Sequence, residues 1–307
     1  MRIPPDDTTA SRAIVICADD YGQGPAISTG IRDLAARGVL SAVSCLTLCP
    51  AWEAEGRALM PLADRIDIGL HLCLTQFAPL GPVAGLSPDG GAACKGGVGL
   101  AAVIAAALAG RLDQASVAAE FTRQLDRFVA VTGRLPDFLD GHQHVHILPV
   151  VRRAVVDLTR RWPPGSPRPY LRSLSRLGPA LGAVLGSGPG PVGEMAKAGV
   201  LAALSAGSDR VFAAAGLPLT GGFRGLHGFD GGETADRALG RFRRWVTAPV
   251  PRLLVACHPG LPGPAGDGPD PIAPSRSLEY RVMADPAFAL MLAEAGVRPA
   301  RFAATKG

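Results

Sequence analysis

The 307-residue chain has few aromatic residues: Phe, Trp and Tyr together make up 5% of it. A surface that binds nucleic acid by stacking bases needs such side chains, and no nucleic-acid recognition motif is present. There is also no window of roughly 18 uninterrupted apolar residues, the length a membrane-spanning helix requires. The richest stretch, Val98 to Gly110, is short and alanine-rich. The opening "MRIPPDDTTASR" lacks the basic-then-apolar order of a signal peptide. It reads as a flexible tail over residues 1–12, and the expectation is a cytoplasmic protein without a membrane span. None of the six cysteines forms a C-x-x-C pair. Cys17, Cys45, Cys73 and Cys257 lie in apolar runs, where they read as small core residues rather than as disulfides or zinc ligands. No cysteine stands in an electropositive loop that would make it a nucleophile.

The net charge is +5, but the basic residues are scattered. The densest group, "RFRRW" (Arg241 to Trp245), reads as a solvated helix face rather than a phosphate-binding patch. What the chain does have is length and apolar content, 48% hydrophobic, enough for one large α/β domain.

The apolar runs alternate with helical spacings. "AIVICADD" is a buried strand ending in carboxylates, followed by the helical "GPAISTGIRDLAARG". "LSAVSCLTLC", "RIDIGLHLCLT", "RLPDFLD", "RPYLRSL" and "RLLVACH" read as further strands, and "FRGLHGF" and "RPARFA" are candidates. "PAWEAEGRALMPLA", "LDQASVAAEFTRQLDRFVAVTG", "ILPVVRRAVVDLTRRW", "ETADRALGRFRRWV" and "SLEYRVMADPAFALMLAEAG" read as helices. Strand and helix in turn mean parallel pairing with right-handed crossovers. Seven or eight such units predict one domain over 13–307, an irregular, TIM-like (β/α) barrel. Loop insertions are expected near 79–110 and 176–220, where Gly and Pro accumulate.

Polar residues gather where the strands end. Asp19 and Asp20 close the first, His71 lies in "GLHL", Arg172 in "YLRSL", and His258 follows "LLVAC". In "LDGHQHVHIL", Asp140 precedes His142, His144 and His146 at every second position. Taken singly, each has a plain reading: "DD" as a helix cap, His71 as a core histidine, Arg172 as a surface salt bridge. Together they converge on the carboxyl face of a parallel barrel, and that conjunction points to a metal site. Within an extended segment, the alternation would send His142, His144 and His146 to one side. A turn into helix near Ile147 would instead make the three diverge and leave His144 either behind the ligands, supporting them, or structural. Asp140 is placed to orient a ligand histidine, and Arg172 to keep Asp19 ionised. His227, in "GLHGF", has no clear place.

The blocks "ADDYG", "IGLHLCLT", "LDGHQHVHILP" and "ACHPG", in this order, resemble those of the YdjC-like carbohydrate deacetylases, a family that includes chitooligosaccharide deacetylases. The resemblance runs from about Ala13 to His146 and resumes at Leu253 to Gly260. It implies a divalent metal, magnesium or zinc, held by Asp20, His71 and His142, with Asp19 as general base and His258 as general acid; His146 would line the site. It also implies hydrolysis of an N-acetyl amide on an amino sugar, releasing acetate. Two alternatives stand beside it: a metal-dependent amidohydrolase on a non-carbohydrate or lipid- or nucleotide-linked substrate, and a binding protein of the same fold without catalysis. The expected partner is the N-acetylated sugar itself, with no nucleic acid; a homodimer is left open.

Overall fold

The computed structural model describes residues 11–86, 97–176, 203–229, 231–263 and 270–305. Most of the expected tail, the centre of the first expected loop insertion and much of the second lie outside these residues.

Eight strands are present among the described residues: β1 (Arg12–Tyr21), β2 (Ala42–Cys45), β3 (Asp67–Leu72), β4 (Phe138–Gly141), β5 (Tyr170–Leu171), β6 (Gly222–Arg224), β7 (Leu253–Cys257) and β8 (Val297–Pro299). All pairings are parallel, in the order β5-β4-β3-β2-β1-β7-β6, and β8 adds to the start of β1. A single parallel bridge between Leu171 and Leu219 ties the β5 edge to the segment leading into β6. The sheet therefore curls into a barrel-like shape, with helices packed outside it, as the alternating pattern predicts.

Strands β2 to β7 are buried on both faces, and their period of two divides the core. Ile14, Ile16, Ile68, Leu70, Leu253 and Val255 face outward and pack with the helices. Val15, Cys17, Ala42, Phe138, Tyr170, Phe223, Leu254 and Ala256 belong to a second cluster that fills the inside of the curl. The polar residues continue these inward columns in steps of two. Val15 and Cys17 lead to Asp19, Ala42 to Ser44, Phe138 to Asp140, Tyr170 to Arg172, and Leu254 and Ala256 to His258. On β3 the column is Asp67, Gly69, His71. The barrel is thus apolar below and polar above.

Helices follow the spacings in most places. Gln114–Thr132 starts at Asp113, whose side chain accepts from the Ser116 amide, and ends at Gly133 with φ 68°. Three readings change. Leu100–Leu108, within the expected first insertion, is a helix; its run of alanines gives too little polar contrast to show a face. "SLEYRVMADPAFALMLAEAG" is two helices, Ala273–Ala284 and Pro286–Glu294, because Asp285 caps a new start with Pro286 behind it. The solvated face expected of "RFRRW" does not hold for Arg241, which is buried, pairs with Glu233 and Glu279, and lies over the Trp245 ring.

Candidate metal centre and active site

Neighbouring strand residues normally point to opposite faces, so "DD" cannot deliver two carboxylates to one site from a regular strand. β1 solves this with a bulge. Its register against β2 slips between Ala18 and Tyr21, and Asp20 takes a left-handed φ of 66°. Asp19 stays in the inward column, while Asp20 swings towards the ends of β3 and β4.

There, Asp20 Oδ1 lies 2.9 Å from His142 Nδ1 and 3.5 Å from His71 Nε2. All three residues are buried. Each imidazole has its other nitrogen engaged. His71 Nδ1 donates to Asp140 Oδ1 at 2.6 Å, and Ser44 Oγ donates to the same oxygen. His142 Nε2 donates to Gln76 Oε1. These partners select the tautomers: the nitrogens facing Asp20 carry lone pairs, not protons. Three electron-rich atoms then converge within 4.8 Å, an arrangement that repels itself unless a cation lies among them. One carboxylate and two neutral imidazoles form a donor set suited to a divalent metal, so these residues fit one. The carboxylates gathered here make the site attractive to positive charge. Burial disfavours the charged form of His71, but Asp140 and Asp19 outweigh it and raise its pKa. Burial likewise opposes ionisation of Asp20, yet the Arg276 guanidinium and His142 hold its carboxyl well below the usual range.

Beside this cluster, Arg172 is fully buried and grips Asp19 with both nitrogens, Nη1 to Oδ2 at 2.7 Å and Nη2 to Oδ1 at 2.6 Å. The surface salt bridge weighed for Arg172 is excluded by that burial. The same Nη2 lies 2.5 Å from Asp140 Oδ2 and 3.4 Å from Cys17 Sγ. Cys17, Asp19 and Asp140 also have metal-like spacing, but the guanidinium already fills that space. Burial alone would raise the Asp19 pKa; Arg172 reverses this and keeps the carboxylate ionised.

His258 closes the site from the other side, its Nε2 3.9 Å from Asp19 Oδ2. Burial lowers its pKa despite the nearby carboxylates of Asp20 and Asp19, so the ring is neutral at neutral pH.

The histidine run is not a strand. β4 stops at Gly141, and His142–Ile147 is a tight 3-10 stretch with Gln143 and His144 at φ 50° and 61°. The three imidazoles diverge. His142 reaches Asp20. His146 turns inward, its Nε2 donating to the Arg172 carbonyl at 2.9 Å, and a side chain at Gly141 would collide with it. His144 packs edge-on against Phe223, 5.3 Å between ring centres. His227, left without a place by the sequence, lies 3.2 Å from Glu279.

Four further side chains belong to the site: Ser44, Gln76, Arg276 and Glu279. Only Ser44 was within reach of the sequence, since it stands in the same inward step above Ala42 as Asp19 above Cys17.

Several known proteins resemble this chain. A carbohydrate deacetylase of Mus musculus is 31% identical over 301 residues, covering 93% of this chain and 92% of its own length. A chitooligosaccharide deacetylase of Yersinia enterocolitica is 31% identical over 140 residues, 46% of this chain and 53% of its own. In fold, the chain superposes on an Enterococcus faecalis V583 protein, provisionally described as a cellobiose-phosphate cleavage protein, with a TM-score of 0.69 at 18% identity, covering 96% of this chain and 98% of that one. The family described as YdjC-like protein matches residues 13–294. The chain belongs to the YdjC-like family.

Proposed function

We infer that the protein is a metal-dependent deacetylase that hydrolyses the N-acetyl group of an amino sugar or oligosaccharide. The observation that carries this reading is the division of labour between neighbouring aspartates. Asp20 faces two imidazole lone pairs, while Asp19, one residue away, faces Arg172 and His258. The names of the mouse and Yersinia relatives support the substrate class.

Amides resist hydrolysis because the carbonyl is a weak electrophile and the amine a poor leaving group. Asp20, His71 and His142 would hold one divalent ion, zinc or magnesium, which when bound polarises a carbonyl and makes a nearby water more acidic. Asp19, kept ionised by Arg172, accepts the proton as the water oxygen attacks the carbonyl carbon. His258 starts neutral. It takes that proton from Asp19, whose Oδ2 faces its Nε2 at 3.9 Å. As the C–N bond breaks, His258 passes the proton to the departing nitrogen, and acetate and the free amine leave. Asp140 and Arg172 touch no substrate in this scheme; they hold His71 and Asp19 in place. His146 supports Arg172 through its carbonyl.

The test is acetate release from N-acetylglucosamine, short chitin oligomers and carrier-linked N-acetyl sugars, after chelation and after adding back zinc or magnesium. Release that vanishes on chelation and returns with metal supports the reading. Metal binding without release from any of these substrates overturns the amino-sugar assignment and favours another amide.

A further inference from the structure

Two residues of helix Ala273–Ala284 reach the site from outside the barrel, three positions apart and hence on one helix face. Arg276 is 4% exposed. Its Nη2 donates to Asp20 Oδ2 at 2.7 Å and to Gln23 Oε1 at 3.1 Å, and its Nε donates to Asp270 Oδ2 at 2.6 Å. Glu279 is 1% exposed. Its Oε2 accepts the backbone N–H of His258 at 2.6 Å, and its Oε1 lies 3.2 Å from both Arg241 Nη1 and His227 Nε2. The Gly260 amide also donates to the Arg276 carbonyl, at 3.1 Å. The loop carrying His258 is therefore docked on this helix by two backbone N–H groups.

Among the described residues no carboxylate lies within hydrogen-bond distance of the His258 ring, Asp19 standing 3.9 Å away. Among the described residues, too, the ring's Nδ1 is buried with no hydrogen-bond partner, and its neighbour is the edge-on Phe229 ring at 5.0 Å. Proton-transferring histidines are commonly oriented through the ring. Here the Glu279 carboxylate grips the main chain instead. Asp20, for its part, holds an unfavourable left-handed backbone that needs support from its surroundings.

We propose that helix Ala273–Ala284 is the element that sets the spacing between the metal-ligand carboxylate and the proton-carrying histidine, with Arg276 positioning Asp20 and Glu279 positioning His258 through its backbone. This rests on the deacetylase reading for His258 but not for Arg276. The two handles are separable: one governs metal affinity, the other proton delivery.

The experiment compares the full-length wild type with Arg276→Lys and Glu279→Gln. Arg276→Lys keeps the charge and loses the fork that joins Asp20, Gln23 and Asp270. Zinc affinity by calorimetry should fall about tenfold in this variant. In Glu279→Gln, zinc affinity should stay within about twofold of wild type and KM should hold, while kcat falls about 10- to 100-fold, the scale of losing a hydrogen bond to a charged group. Imidazole NMR signals, assigned by single histidine replacements, should move for His258 and His227 and stay fixed for His71 and His142. That readout holds whether or not acetate is released, so an inactive wild type would sink the deacetylase reading and leave this proposal under test. Unchanged zinc affinity in Arg276→Lys overturns the proposal. So does wild-type kcat in Glu279→Gln from an active enzyme, a parallel loss of zinc affinity in that variant, or a general shift of all histidine signals.

Discussion

Arg172 and Asp19 are joined by two parallel hydrogen bonds of 2.7 and 2.6 Å, both side chains being at most 2% exposed. A second carboxylate, Asp140, lies 2.5 Å from the same guanidinium. One cation thus balances two buried anions that serve different groups, Asp19 facing His258 and Asp140 facing His71.

Removing that cation leaves both anions uncompensated. Arg172→Met should destabilise the fold by about 3–5 kcal/mol, the cost of breaking a buried ion pair from one side. Urea denaturation measures it. A loss below about 1 kcal/mol would mean that the two carboxylates relax by taking up protons or water.

Gln76 fixes the tautomer of His142 from a loop residue that is itself left-handed, at φ 63°. Gln76→Leu keeps the bulk and removes the acceptor. Metal affinity should fall about 10- to 100-fold, read by competition against a chromogenic chelator. The Asp140–His71 bond predicts the same loss for Asp140→Asn.

Gly69 stands in the inward column of β3 between Asp67 and His71, and a Cβ there would lie 2.4 Å from the Phe138 ring. Phe138 is itself stacked on Tyr170 and cannot move aside freely. Gly69→Ala should cost about 1–3 kcal/mol, seen as a lowered thermal midpoint, and Phe138→Leu in the same chain should restore part of it.

Stability should fall steadily from neutral to acid pH. Burial pushes the His146 imidazole down to about 4 from an ordinary 6.5. Between those values the unfolded chain binds a proton that the fold refuses, so stability drops as pH falls through that window, by about 3 kcal/mol in all. Burial opposes ionisation of Glu279, but His227 and Arg241 outweigh it and bring its carboxyl to about 2 from 4.5. Its contribution is complete above 4.5 and is lost as pH falls towards 2. Denaturation midpoints across pH 7.5–4 should decline in the wild type, and the decline should be shallower in His146→Gln.

Several site residues are readable because each extends an inward column of apolar residues by one step of two. Asp19 above Cys17, Asp140 above Phe138, Arg172 above Tyr170 and His258 above Ala256 all announce a polar face by breaking a buried run. The alternation in "HQHVH" misleads for the opposite reason. Gln143 and His144 leave extended geometry altogether, and a period of two has no meaning in a left-handed turn. Arg276 and Glu279 were hidden because a charged residue on a helix ordinarily signals the solvated side. Only the packing of Ala273–Ala284 against the "ACHPG" loop turns them inward, and no local pattern encodes that contact. The same reasoning misplaced Arg241.

The division between Asp20 and Asp19 is tested most directly by Asp19→Asn. Zinc content and acetate release should be measured on the same preparation, with Asp20→Asn in parallel. The account predicts that Asp19→Asn binds one zinc per chain as the wild type does and releases acetate at least about 10²-fold more slowly, the lower range for a lost proton acceptor, while Asp20→Asn loses the metal. Near wild-type acetate release by metal-loaded Asp19→Asn, or loss of zinc from that variant with retention in Asp20→Asn, would contradict it.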